Sequence, residues 1–185
     1  SYKGHPALGR HLVESLTAQE FDVGHIRRLS TEHGAKGIGH AWNFVWKNVM
    51  TQRQVPMVPL LLNTCYPPNR PTVKRCYDLG RALRRAIAAW DSDLRVAIGA
   101  SGGLTHQVVE EDLDRTLIDA FQRRDVAALT AIPERRFDME GTSESKNWVV
   151  VAAACEDLDM HLIDYVPCYR TEAGTGVGMC YAAWR

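Results

Sequence analysis

Two short runs constrain the fold most: VPMVPLLLN at 55–63 and LRVAIGA at 94–100. Each is apolar almost throughout and of strand length, a pattern that suits a strand buried on both faces of a helix-covered sheet. Two prolines, Pro56 and Pro59, place the first run at a sheet edge or a bulge. Between the runs, Cys76, Gly80, Leu83, Ile87 and Trp90 recur at heptad-like spacing, the clearest amphipathic helix in the chain. Strand, helix and strand in this order predict an α/β three-layer sandwich, with a central, mostly parallel or mixed sheet and helices on both faces.

The rest of the chain fits the same alternation. Leu8, Leu12 and Leu16 mark a helix over about 6–19, and Pro6 is tolerated in its first turn. A short strand is expected over 21–26, a glycine-rich loop over 31–40 and a buried helix over 41–50. Further helices are expected near 110–123, 126–132 and 143–155. Last come strands at 160–166 and 178–183, joined by a long loop over 165–178. At 185 residues and 45% hydrophobic content the chain has enough apolar material for one core, so residues 1–185 read as a single domain.

Composition excludes several functions. Lys+Arg and Asp+Glu are both 22, which leaves no nucleic-acid footprint. The basic residues Lys74, Arg75, Arg81, Arg84 and Arg85 share one helix and read as its solvated face. No run approaches the roughly 18 apolar residues of a membrane span. Five scattered cysteines without a CxxC pair argue against a disulfide framework and a cysteine zinc site, and fit a reducing cytoplasm.

Chemistry concentrates in a few segments. In GASGGLTH (99–106) an expected strand ends in a glycine turn followed at once by His106. Ligands of open α/β sheets gather beyond strand ends, and imidazole exchanges protons near neutrality. The bland reading of His106 is a helix cap. The same residues match GxSxG with Ser101 as a hydrolase nucleophile; the only later histidine is His161, on an apolar strand. In GTSESKNW (141–148), Thr142 or Ser143 is a natural N-cap and Glu144 falls in the first turn. There Glu144 either meets the helix dipole or serves as a carboxylate metal ligand. His33 and His40, seven apart in a loop, lack the adjacent-turn spacing of His-x-x-x-His, which leaves a two-histidine metal site there as an open alternative. His5, His11 and His25 show no partner pattern. Arg170 suits a substrate carboxylate or a solvated loop, and Thr175, between two glycines, suits a ligand contact or a tight turn.

In this order ASGGLTHQ (100–107), GTSESKNW (141–148), EHG (32–34), PTVKRCYDLGRALRRAI (71–87) and DYVPCYRTEAGTGVGM (164–179) resemble the catalytic chain of class III extradiol ring-cleaving dioxygenases, in the protocatechuate, gallate and methylgallate group. The resemblance implies iron(II)-dependent opening of a catechol-type ring by O2, with a small aromatic diol as substrate. It implies His106 as the acid/base histidine, His33 as a second active-site histidine, Glu144 as the carboxylate iron ligand, and Thr175 as a substrate contact. The family's two iron-ligating histidines belong to an N-terminal third that precedes the region matching Ser1. The expectation is therefore a C-terminal part of such a chain, whose remainder is an upstream segment of the same gene, is lost or lies on another chain, and a homo-oligomer. A serine hydrolase through Ser101 and a non-catalytic subunit of the same fold stand as alternatives.

Overall fold

The computed structural model describes residues 3–27, 39–50, 55–138 and 141–185. Its elements are α1 (Pro6–Ala18), α2 (His40–Phe44) continued by a π-helical turn (Val45–Val49), α3 (Val73–Ala88), β1 (His106–Val108), α4 (Glu111–Arg123), α5 (Val126–Ala131), α6 (Ser145–Ala154), β2 (Met160–Tyr169) and β3 (Thr175–Trp184). The class is α/β, as the alternation of elements predicts. The chain divides into two compact units, residues 1–61 with 85–96, and residues 62–84 with 97–185.

In the first unit, α1 begins at Pro6, and the ring of His5 caps it by accepting from the Leu8 amide (3.2 Å). Leu16 is the buried member of its apolar stripe. His11, expected to have no partner pattern, donates from Nε2 to the Ala86 carbonyl (2.7 Å), and Trp90 stands edge-on to the His5 ring.

The second unit carries the sheet, in the order β1-β3-β2 with antiparallel pairing. Along β3 the residues alternate. Gly176, Gly178 and Cys180 are buried, while Thr175, Val177 and Met179 on the opposite face are half-buried. The buried face meets α4, whose Leu113, Asp114, Leu117, Ile118 and Phe121 are buried. Tyr165 and Tyr169 of β2 reach α4 as well, donating to Asp114 and Glu111 (both 2.7 Å). Helix α6 is buried along almost its whole length. A side chain at Gly80 would stand 2.6 Å from Ala153, so the absence of one lets α3 approach α6 closely.

The sheet is smaller than the sequence predicts. Residues 55–63 form no ladder beyond one isolated parallel bridge, Gly4 with Met57, and 94–100 form none. Leu61 and Leu94 are 67% and 57% exposed, so these runs are not buried strands among the described residues. An apolar run reports a tendency to be buried, but only a partner strand supplies the hydrogen bonds. Residues 21–26 are likewise not a strand. The long loop expected at 165–178 is mostly a hairpin, with only 170–174 outside the strands. Its strand glycines sit where a side chain would not fit: a Cβ at Gly178 would meet Asp114 of α4, and one at Gly176 would meet the Cys168 carbonyl of β2 and Val109.

Candidate functional site

His106 opens β1 and does not cap a helix. The turn before it needs glycine: Gly102 has φ +122°, and a Cβ there would come within 2.7 Å of Glu144 Oε2. The carbonyl of Gly102 accepts from the indole Nε1 of Trp148 (3.1 Å), which ties the turn to α6.

Each residue leading to the imidazole is held. Leu104 N donates to Gly178 O (2.8 Å), and Gly178 N donates to Thr105 O (2.9 Å), which joins the segment to β3. Thr105 N donates to Asp114 Oδ1 and Thr105 Oγ1 to Asp114 Oδ2, both at 2.9 Å. His106 N donates to Thr142 Oγ1 (3.0 Å), and that hydroxyl donates back to His106 O (3.3 Å). Thr142 is fully buried and Ser145 Oγ donates to its carbonyl (2.6 Å). Within the ring, Nδ1 lies 3.1 Å from Leu104 O. A carbonyl only accepts, so this bond requires the proton on Nδ1 and leaves Nε2 of the neutral ring unprotonated.

Glu144 comes from the other side. It ends a 3-10 turn (Thr142–Glu144) and is the N-cap residue of α6, yet its carboxylate makes no capping bond. Its Oε2 stands 3.8 Å from Nε2 of His106. The imidazole side chain is 19% exposed and the carboxylate 41%, so the pair opens to solvent on one side. Behind it, burial pushes the Asp114 carboxyl above its ordinary range, against the pull of its donors Tyr165 and Thr105.

The structure thus brings together two of the residues singled out in the sequence. His33 lies outside the described residues. Thr175 and Arg170 lie at the hairpin end. The register pairs Thr175 with Val108 and His106 with Val177, on one face of the sheet, while Arg170 lines an open depression with Tyr169, Thr171, Glu172 and Gly174. Ser101 does not sit in a nucleophile elbow: no strand precedes it, and a strand rather than a helix follows the turn. His161 is an exposed residue of β2. Asp114 escaped the sequence reading. The available signal was a carboxylate at i, with Ile118 and Phe121 at i+4 and i+7 on the buried face of α4. No described helix is long and apolar enough to cross a membrane.

Comparison with known proteins places this geometry. Residues 1–177 match the family described as the catalytic LigB subunit of aromatic ring-opening dioxygenase. A gallate dioxygenase of Pseudomonas putida is 43% identical over 108 residues, which are 57% of this chain and 29% of that relative. The matched stretch therefore spans under a third of the relative's length.

Proposed function

We propose that this chain, which belongs to the LigB family of catalytic subunits of aromatic ring-opening dioxygenases, contributes the proton-transferring side of an active site that opens a catechol-type ring with O2. The observation that carries the reading is the meeting of His106 Nε2 and Glu144 Oε2 at 3.8 Å, inside the family-matched region. Extradiol cleavage of a gallate- or protocatechuate-like diol is the specific reaction proposed, in keeping with the gallate dioxygenase relative.

His106 acts as general base and then general acid. Its Nδ1 proton is engaged by Leu104 O, so Nε2, beside Glu144, keeps a free lone pair. A ring hydroxyl seated there gives its proton to Nε2. The imidazolium so formed is stabilised by the Glu144 carboxylate and later returns the proton to the opened product. Arg170 is suited to a substrate carboxylate by its forked donors, and Thr175 by its hydroxyl. Both are proposed as substrate contacts, and His33 as a second histidine of the site.

Iron(II) is the cofactor proposed, with Glu144 as one ligand. Among the described residues no group of three His, Cys, Asp or Glu side chains could hold a metal, whereas a two-histidine, one-carboxylate site needs three donors. The described residues do not form that site by themselves; what they supply is the movement of a proton at His106.

The test is oxygen uptake by the full-length protein, supplied with iron(II) and gallate or protocatechuate. His106→Ala is expected to lower turnover about 10²–10⁴-fold, the range for one general acid/base. Unchanged turnover in that variant would remove His106 from the role.

A further inference from the structure

We infer that Asp114 is a positioning residue that sets the tautomer and aim of His106 through the backbone of Leu104 and Thr105. The inference rests on the proposed role of His106 for its kinetic consequence, but not for its structural one.

Asp114 is fully buried on α4 and collects three donors: Thr105 N, Thr105 Oγ1 and Tyr165 Oη. Two of the three belong to the residue immediately before His106. A buried carboxylate that fixes both the amide and the hydroxyl of one residue leaves that residue little freedom to turn. The Thr105 hydroxyl in addition accepts from the Glu110 amide (3.1 Å), which carries the hold to the start of α4. The consequence falls on the next carbonyl back. Leu104 O is the acceptor for His106 Nδ1, and its direction follows from the peptide that joins Leu104 to Thr105, the peptide whose N–H Asp114 captures. Release that N–H and the Leu104 carbonyl is free to swing away from the ring. The proton then has no reason to prefer Nδ1, and Nε2 is no longer reserved as the base.

The sheet is built to accommodate this carboxylate. Gly178 of β3 faces it, and any Cβ there would stand 1.9 Å from Asp114 Oδ2. Thr142 Oγ1 also secures His106, accepting from the His106 N–H and donating to the His106 carbonyl. None of the three bonds to Asp114 involves Glu144 or the imidazole itself, so its influence passes through the main chain.

The experiment uses the full-length protein labelled with 15N-histidine and 15N-threonine and prepared without iron, at mildly alkaline pH. The His106 signal is identified by its loss in His106→Gln. The wild type is expected to show His106 with its proton on Nδ1 and slow amide exchange at Thr105. Asp114→Ala is expected to populate both tautomers. In the iron-loaded protein the same variant should lower kcat about 10- to 100-fold at unchanged KM, the usual span for a residue that orients a functional one. Asp114→Asn retains an acceptor for the Thr105 amide, and should recover about tenfold in kcat over the alanine variant. A wild-type ring without the Nδ1 proton, or a fast-exchanging Thr105 amide, overturns the inference even if Asp114→Ala does not fold. So does an alanine variant with wild-type tautomer or wild-type kcat. If the wild type has no ring-opening activity, the proposed function fails, while the tautomer and exchange measurements still decide the role of Asp114.

Discussion

Gly178→Ala isolates the packing around the carboxylate clamp. An ideal methyl at 178 would lie 1.9 Å from Asp114 Oδ2 and 2.7 Å from its Cγ. β3 is held there, since Gly178 O and N are both engaged with Leu104 and Thr105. Forcing a methyl into a filled core costs about 1–3 kcal/mol. If Asp114 turns aside to make room, at least one bond to its carboxylate is lost, about 1.5–3 kcal/mol for a charged acceptor. The sum is about 4 kcal/mol. For a domain of this size about 2–4 °C of Tm accompany each kcal/mol, so melting should fall by about 8–16 °C. The control is Gly174→Ala in the hairpin loop. There φ is +80° but no atom lies within 4 Å of the added methyl, so only the left-handed backbone cost of about 1–2 kcal/mol applies. Thermal unfolding of the two variants, followed by circular dichroism, decides the matter. A Gly178→Ala variant no less stable than Gly174→Ala would refute the argument. The same substitution placed on Asp114→Ala should cost less than half as much, because the clashing oxygen is gone.

Two further outcomes follow from the buried groups. Burial raises the Asp114 carboxyl above its ordinary value of about 3.9. The unfolded chain therefore loses this proton first, and wild-type stability relative to Asp114→Asn falls as pH rises from about 4 to the higher value of the folded carboxyl, and is level above it; urea midpoints of both proteins across acidic pH check the sign. The thiols should separate in a reaction with a disulfide reagent. Cys65 and Cys168 are exposed and should react in the native protein, whereas Cys76 and Cys180 are buried, pushed by that burial to about 12 and about 11, and should react only on unfolding.

Elements whose partners lie nearby in sequence were legible. Helices α1 and α3 announced themselves through their apolar periods, and α4 and α5 were placed beside them, because a helix satisfies its own backbone. The strands were harder. The runs at 55–63 and 94–100 carry the composition of buried strands, but a ladder depends on a neighbour that composition does not name. The hairpin extension at 167–169 and 175–177 was hidden by the opposite error, since Pro167 and glycine-rich sequence read as loop. Here Gly178 is a strand residue where Asp114 of α4 leaves no volume above it, and Gly176 one where the Cys168 backbone and Val109 leave none. For the site, a histidine after a glycine turn and a glutamate before a helix were visible as types. Their convergence was implied by the family resemblance alone and could not be read from spacing, because 38 positions separate them and the contact depends on Thr142 reaching back to the His106 backbone.

The placement of Glu144 bears on whether its position is structural or functional. A first-turn glutamate ordinarily needs no explanation beyond the helix dipole. A carboxylate serving the helix would accept from the free amides of the first turn, and this one accepts no such bond although it occupies the N-cap position of α6. It turns instead toward an imidazole whose Nδ1 proton is committed to the main chain, and it remains 41% exposed. At 3.8 Å the two groups are close enough to stabilise a charge on the ring, yet too far apart for a direct hydrogen bond. Helix stability alone gives no reason for that spacing. A site in which the imidazole takes a substrate proton does, since a base already bonded to Glu144 would have no free lone pair with which to receive it.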